Sequence, residues 1–209
     1  MFIRPFVLAA LGVCACWAQQ YEIGGVAGAG FVNSLGVAGT AGAATAGFKP
    51  GFAFGGFVGH NMYRHLSGEV RYSYLQSNLR LSSGGTEATF SGVAHAVHYD
   101  LIFHSRKDAP AQVFAAAGGG FKVYRGTGKE AAYQPLSQFA YLTKTQELKP
   151  LISVGGGVKF KLSRRAALRV EARDYITPFP LKVITPAPGN KISGWVHDIV
   201  PMVGISYLF

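Results

Sequence analysis

The sequence ends in residues 199–209, IVPMVGISYLF, and this stretch decides the fold. Counted back from the C-terminus in steps of two, it places Phe209, Tyr207, Ile205 and Val203 on one face, with a serine and a glycine between them. A period of two residues predicts a β-strand and not a helix. An apolar, aromatic face at the end of a chain needs hydrocarbon or a second layer of protein to cover it.

Residues 1–18 have the features of a secretory signal peptide. A positive residue precedes an apolar run, and small residues surround a cleavage point after residue 18. The apolar run is too short to span a bilayer. Both cysteines of the chain lie inside this segment, so we expect neither a disulfide nor a thiolate metal site in the mature protein. The sequence therefore predicts one exported domain over residues 19–209.

The composition indicates a closed sheet. Hydrophobic residues make up 49% of the chain and charged residues only 14%, and there are 28 glycines. Soluble domains carry about 25% charged residues. After the signal peptide, no apolar stretch is long enough for a transmembrane helix. An apolar exterior without an apolar helix requires a sheet that closes on itself, because every backbone polar group must then find a partner within the sheet.

Segments with strand character recur along the mature chain, separated by turn-rich connections. The eight segments are residues 21–32, 49–60, 66–79, 88–104, 111–124, 149–162, 166–175 and 195–209.

The connections alternate in length. Long ones cover residues 33–46, 125–148 and 176–194, and short ones cover 61–65, 105–110 and 163–165. This alternation predicts an antiparallel up-and-down barrel with both termini at the end of the short turns. The connection at residues 82–87 is an exception, since it should be long and is short.

Within the segments, apolar and charged side chains alternate. In residues 168–173, for example, apolar side chains alternate with Arg169, Glu171 and Arg173. A membrane barrel with a polar lumen and a soluble barrel with an apolar lumen both produce this pattern. The aromatic chain end, the tyrosines beside strand ends and the low overall charge favour the membrane barrel.

The signal peptide, the eight strands and the ending ISYLF resemble the small outer-membrane β-barrels of the OmpA/OmpX type. The resemblance implies an all-β, eight-stranded antiparallel transmembrane barrel in the outer membrane of a Gram-negative bacterium, reached through the periplasm. It also implies that the barrel-assembly machinery reads Val203, Ile205, Tyr207 and Phe209, and that the protein is a monomer. Pro201 lacks a backbone N–H, so we expect a bulge beside it.

An eight-stranded barrel is only wide enough for its own side chains. We therefore expect the charged residues of the inward faces to form a salt-bridged plug, with a gated ion path as the alternative. The residues assigned to this plug are Glu69, Arg71, Asp100, Lys122, Lys159, Lys161, Arg169, Glu171 and Arg173.

Histidines raise the question of a metal or catalytic site. His95, His98 and His104 lie on one predicted strand, and a spacing of about 6.5 Å per two residues is too wide for one tetrahedral ion. We assign His98 and His104 to the lumen and His95 to the lipid face. His65 and Ser67 resemble the His-x-Ser pair of lipid A deacylases, but they fall at a periplasmic turn. We therefore predict no catalytic residue, cofactor or metal.

The chain is basic, with 20 lysines and arginines against 10 aspartates and glutamates. These residues are dispersed and form no nucleic-acid motif, so anionic lipopolysaccharide is the expected partner. The leading interpretation is a non-enzymatic outer-membrane barrel with a structural or adhesion-like role carried by its extracellular loops. The alternatives are a lipid A-modifying enzyme, a small pore and a secreted soluble ligand-binding barrel.

Overall fold

The computed structural model describes residues 21–39, 42–106, 109–131 and 133–209. The expected signal peptide lies outside these residues. The described chain is all-β. Its strands, in chain order, are β1 (Tyr21–Val32), β2 (Leu35–Ala38), β3 (Ala44–Phe48), β4 (Gly51–His60), β5 (Leu66–Gln76), β6 (Leu79–Ser83), β7 (Thr86–Phe90), β8 (Gly92–His104), β9 (Ala111–Gly126), β10 (Ala140–Leu142), β11 (Gln146–Lys161), β12 (Ala166–Pro178), β13 (Ile184–Pro186), β14 (Lys191–Ile192) and β15 (Trp195–Leu208).

Eight of these strands close a barrel in the order β1-β4-β5-β8-β9-β11-β12-β15, and β15 returns to pair with β1. Each strand is antiparallel to both neighbours. The predicted eight-stranded up-and-down barrel is therefore confirmed. Short turns join β4 to β5, β8 to β9 and β11 to β12 at one end, which we call the turn end.

The closing seam keeps one register past Pro201. Gly28 pairs with Met202 on one side of the proline, and Phe31 pairs with Ile199 on the other. The expected bulge is therefore wrong. Pairing with β12 continues through Pro201, and a Cβ on Gly28 would lie only 1.9 Å from the proline carbonyl oxygen. The missing N–H is accommodated by close approach of a glycine in β1, without an extra residue.

The last residues of the chain complete the barrel wall. The backbone N–H of Phe209 donates to Tyr21 O at 3.0 Å, and Tyr21 N–H donates to Phe209 O at 3.2 Å. Their rings stack with centroids 6.2 Å apart. The side chains of Val203, Ile205, Tyr207 and Phe209 all point outward and are 45 to 62% exposed. The C-terminal segment therefore closes the sheet and also forms part of its apolar exterior.

Large apolar side chains stand exposed around the outside of the barrel, on all eight strands. Soluble monomers rarely expose a contiguous apolar surface of more than a few hundred Å². We call this surface the apolar belt. It includes Ile23, Phe31, Phe52, Phe54, Val58, Val70, Tyr72, Val97, Tyr99, Leu101, Phe103, Val113, Phe121, Ile152, Val154, Phe160, Val170, Trp195, Ile199, Val203, Ile205 and Tyr207.

None of the described residues form a helix that is long and apolar enough to cross a membrane.

The connections at the other end of the barrel fold into a cap, which we define as β2, β3, β6, β7, β10, β13 and β14 with their joining residues. Five of these strands form a sheet in the order β14-β2-β3-β6-β7, and β10 pairs with β13. Buried side chains such as Phe48, Leu81 and Ile184 fill the space beneath them. The long connections predicted as loops therefore contribute short strands to a packed cap.

The short connection at residues 82–87 is part of this cap. It is the tight hairpin between β6 and β7, and its two central residues, Gly84 and Gly85, have φ angles of 55° and 82°. Such angles favour glycine in two-residue hairpin turns. The connection is short because the chain continues beyond β5 and β8 as a tight β-hairpin. The third and fourth predicted segments therefore each extend from the barrel into the cap.

Replacing Phe209 with serine should lower the amount of protein in the outer membrane several-fold. The change removes the ring that stacks on Tyr21 at the seam, and an open seam would expose unpaired backbone groups. Export should be unaffected, because the predicted signal lies at the other end of the chain. Abundance in isolated outer membranes at equal synthesis measures the effect.

The matched control is Tyr63→Ser, which removes an aromatic ring that is 70% exposed on the turn between β4 and β5. Equal abundance of the two variants would contradict a role for Phe209 in closure.

Candidate functional site

The interior of the barrel holds five cations and five carboxylates, which is a balanced set. Their side chains are at most 14% exposed where an ion pair is formed, and most are fully buried. The lumen network, as we call this set, consists of Arg71, Lys122, Lys159, Arg169 and Arg173 with Glu22, Glu69, Asp100, Glu171 and Asp198.

At the centre, two ion pairs cross the lumen in opposite directions. Strands β5 and β12 face each other, with three strands between them on either side. Arg71 of β5 donates to Glu171 of β12 at 2.5 Å, and Arg169 of β12 donates to Glu69 of β5 at 2.6 Å. Each strand thus supplies one arginine and one carboxylate to the other, and the side chains fill the cross-section between them.

Each of these arginines also binds the carboxylate two residues away on its own strand. The Nε of Arg71 lies 2.9 Å from Glu69 Oε1, and the Nε of Arg169 lies 3.0 Å from Glu171 Oε2. The contacts form because residues i and i+2 of a strand share a face. The short Glu-x-Arg and Arg-x-Glu patterns in the sequence therefore encode contacts along the strand as well as across the lumen.

Arg173 extends the network to a third strand. Its Nη1 donates to Asp100 of β8 at 2.7 Å, and its Nε lies 3.2 Å from Glu171. The Nδ1 of His98 lies 3.0 Å from the other oxygen of Asp100. His98 thus belongs to a charged cluster that is already supplied with partners.

Aromatic rings cover the guanidinium groups. The Cζ of Arg169 lies 4.6 Å from the centroid of Phe57 and 4.5 Å from that of Phe114. Arg71 lies over the same Phe57 ring at 5.2 Å. A guanidinium against a ring face is stabilised electrostatically, and more strongly when water is excluded. The rings therefore seal the centre of the network as well as stabilising its cations.

Two further ion pairs flank the centre. Towards the cap, Lys122 donates to Asp198 at 2.7 Å. Towards the turn end, Lys159 donates to Glu22 at 2.5 Å. Ion pairs therefore occupy the lumen at three levels.

Inward glycines provide the room for these long side chains. A Cβ on Gly118 would lie 2.4 Å from Asp100 Oδ1, one on Gly155 would lie 2.6 Å from Arg173 Cδ, and one on Gly157 would lie 2.7 Å from Glu171 Cβ. Contacts this short are not tolerated in a packed interior. The glycine runs of β9 and β11 thus form the smooth wall against which the network packs.

The structure places eight of the nine residues that sequence reasoning assigned to the lumen inside the barrel. Lys161 is the exception: it is the last residue of β11 and still pairs with Ala167 of β12, but its exposed side chain lies at the turn end, outside the lumen network. Glu22 and Asp198 were missed. Both follow the two-residue alternation of their strands. Glu22 lies between the outward residues Tyr21 and Ile23, and Asp198 is an odd number of residues away from the outward Tyr207 and Phe209, so the pattern already placed both side chains inside.

The histidines take three different positions. His98 and His104 are buried on the inward face of β8. His95 points outward, as the alternation predicted, and its Nδ1 lies 2.8 Å from the hydroxyl of Tyr72. His65 lies beside the backbone of His104, so it does not pair with Ser67 as the His-x-Ser pattern would require. Among the described residues, no group of histidines, cysteines and carboxylates is arranged to hold a metal ion.

Replacing Glu171 with glutamine should destabilise the barrel by about 3–5 kcal/mol, because one buried carboxylate serves Arg71, Arg169 and Arg173 and its loss leaves buried cations uncompensated. Urea unfolding of the protein in lipid vesicles measures the loss.

Glu87→Gln is the control, because Glu87 carries an exposed ion pair with Lys49 and should shift the urea midpoint little. If both variants shift the midpoint equally, the lumen network does not stabilise the barrel as described.

Comparison with known proteins adds a fold assignment. No protein-family model matches the sequence, and no curated protein sequence matches it. Solved structures do match. The outer membrane protein OprG of Pseudomonas aeruginosa is 12% identical with a TM-score of 0.61, and the match covers 92% of this chain and 97% of OprG. Neisserial surface protein A is 12% identical with a TM-score of 0.54, covering 92% and 99% of the two chains.

At this identity the likeness establishes the fold. A closed eight-stranded barrel with an exterior belt of exposed apolar side chains requires hydrocarbon around it. In barrels of this fold, long connections face the outside of the cell and short turns face the periplasm. The chain thus has the fold of the small eight-stranded outer-membrane β-barrels, and its apolar belt places it in the bacterial outer membrane.

Proposed function

We propose that the protein is a non-enzymatic barrel with a closed lumen, and that its cap is a surface-binding face for acidic polysaccharide, including the lipopolysaccharide around it. The observation that carries the proposal is the cap itself. A barrel that served only as a wall would need no folded structure above the membrane, whereas binding residues are commonly held on connections above a rigid scaffold.

A closed lumen is supported by the ion pairs at three levels. Each of the ten charged groups has a partner of opposite sign, so none of them is left to attract a passing ion. Above them, the hydroxyl of Tyr124 lies 2.8 Å from that of Thr177, and Phe48 stacks on Tyr124. The interior is therefore filled from the middle of the barrel to the cap.

The charge of the cap and of the strand ends beneath it supports an acidic ligand. Three carboxylates, Glu87, Glu130 and Glu147, lie there among eight cations. The cations are Lys49, Arg80, Arg125, Lys129, Lys144, Lys149, Lys182 and Lys191.

Only some of these cations are neutralised by the carboxylates. Glu87 binds Lys49 at 2.6 Å and Arg80 at 3.0 Å, and the hydrogen bond from Lys49 lowers the pKa of Glu87, so this carboxylate stays charged. Arg125 and Lys144 form no ion pair with a described carboxylate, and they line one groove of about 480 Å³ where the cap meets β9 and β11. This groove presents two cations together, which suits a phosphate- or carboxylate-bearing polysaccharide.

A lipid A-modifying enzyme is the candidate that we do not favour. In the described barrel, the carboxylates of the lumen are held by arginine or lysine, and a carboxylate held in this way is a poor general base at neutral pH.

The apolar belt likewise argues against a secreted soluble barrel, which would carry its polar face outside.

Planar-bilayer recordings should show little or no steady conductance for the wild-type protein, because ion pairs cross the lumen at three levels. The recordings need protein whose folding is verified by retarded mobility of the unheated sample. Stable open channels at neutral pH would overturn the closed lumen.

The cap is tested with the double variant Arg125→Gln/Lys144→Gln. Its affinity for immobilised dextran sulfate should fall about tenfold from the loss of two surface charges, and the remaining binding should weaken as salt rises. Neutral dextran should not be bound by either protein. Surface plasmon resonance of the refolded protein in a non-ionic detergent measures both affinities, and purified lipopolysaccharide serves as a second probe.

The matched control is Arg64→Gln/Arg165→Gln, which removes the same charge from exposed positions at the turn end. If this variant loses as much affinity as the cap variant, the binding reflects net charge and not the cap.

A further inference from the structure

A cavity of about 140 Å³ lies at the turn end of the lumen, at the opposite end of the barrel from the cap. Its walls come from the first residues of β1 and β5, the last residues of β8 and β11, and the turn before β12. The residues that line it include Glu22, Ser67, His104, Lys161 and Arg164. It opens towards the periplasm, since both chain ends of the barrel and the short turns lie there.

One side of the cavity is positive. Lys161 is the last residue of β11, and Arg164 lies in the turn that follows. Neither forms an ion pair with a described carboxylate, although every cation deeper in the lumen does. Two neighbouring cations with no carboxylate between them favour a group that carries more than one anionic oxygen, such as a phosphate.

The other side presents a buried carboxylate oxygen. Glu22 is only 6% exposed, and its Oε2 accepts a hydrogen bond from Lys159 at 2.5 Å. Its Oε1 is buried and accepts no hydrogen bond from the described part of the chain. A buried acceptor left without a donor is costly, so this position favours a ligand that brings an N–H group.

The remaining wall is polar and held in place. Ser67 Oγ lies 2.9 Å from Asn61 Oδ1 and 2.9 Å from His104 Nε2. On its other side, His104 Nδ1 lies 3.0 Å from Gln112 Nε2. These contacts tie β5, β8 and β9 together and fix the serine hydroxyl at the cavity surface. A preorganised polar wall reduces the entropy lost when a ligand binds.

We propose that this cavity binds a phosphoethanolamine group. Its phosphate lies against Lys161 and Arg164, and its primary ammonium donates to Glu22 Oε1. The cavity thus accepts a zwitterion, with a negative end towards the mouth and a positive end inside. This chemistry occurs both in a free small molecule and in the headgroup of a phospholipid, and the inner leaflet lies at the level of the turn end.

The discriminating measurement is calorimetric titration of the refolded protein in a maltoside detergent with phosphoethanolamine and with phosphocholine. The trimethylated nitrogen of phosphocholine has no N–H to donate to Glu22, so it should bind about tenfold more weakly. Inorganic phosphate and ethanolamine, each with half of the chemistry, should also be weaker. Equal affinity for phosphoethanolamine and phosphocholine, or no binding of phosphoethanolamine, would overturn the proposal.

Variants separate the two ends of the site. Lys161→Gln/Arg164→Gln should weaken phosphoethanolamine about tenfold by removing the charged donors to the phosphate. Glu22→Leu should abolish the preference for phosphoethanolamine over phosphocholine, since leucine has no oxygen to accept a hydrogen bond from the ammonium. Arg64→Gln, a cation of the neighbouring turn that does not line the cavity, is the control and should change neither affinity. A Glu22→Leu protein that is folded by gel mobility and keeps the full preference would also overturn the proposal.

Nanodiscs distinguish the two sources of the ligand. If the lipid headgroup reaches the site, discs that contain phosphatidylethanolamine should lower the apparent affinity for free phosphoethanolamine compared with discs of phosphatidylcholine alone. If the free molecule is the ligand, the two kinds of disc should give the same affinity. The proposal concerns the turn end alone, so its failure would leave polysaccharide binding by the cap untouched.

Discussion

The reciprocal ion pairs between β5 and β12 are the constraint on which the rest of the barrel depends. Arg71 reaches Glu171 and Arg169 reaches Glu69 across a lumen filled by side chains, and each pair is stable only while the other keeps the local charge balanced. Removing any one of these groups would leave the buried charges of the network unbalanced. The network therefore behaves as one unit, and it joins opposite walls of the barrel.

The apolar belt and the lumen network are two consequences of the same alternation along each strand. Outward positions carry Val70 and Val170 because they face hydrocarbon, and the positions beside them carry the charges. The cap follows a different rule. Its small sheets bury an apolar core against one another, as in a soluble domain, because water surrounds them. The chain thus switches from polar-inside to apolar-inside where β5 and β8 leave the barrel and continue into the β6–β7 hairpin.

That switch explains how far the sequence could predict the structure. The period of two residues specified the barrel strands, and their parity was enough to place Arg169, Glu171 and Arg173 inside. Parity could not show that the side chain of Lys161 is exposed, because parity gives the face of a strand residue and not its depth in the lumen. The cap was missed because its strands are short and buried on one side within Gly-rich, Ala-rich connections, where a pattern of two residues hardly repeats. The ion pairs across the lumen join residues about a hundred positions apart, a relation that no local pattern records.

The balance of charge inside the barrel also determines how much net charge remains on the rest of the protein. The network contains five cations and five carboxylates, so the whole excess of 20 basic over 10 acidic residues lies outside it. Most of this excess lies in the cap and at the turn end, the two regions for which we propose ligands that carry anionic groups. Because the lumen network has no net charge, it does not compete with these two regions for anions. Glu22 is the point where the lumen network and the turn end meet, since its Oε2 belongs to the lumen network while the residue also lines the cavity at the turn end.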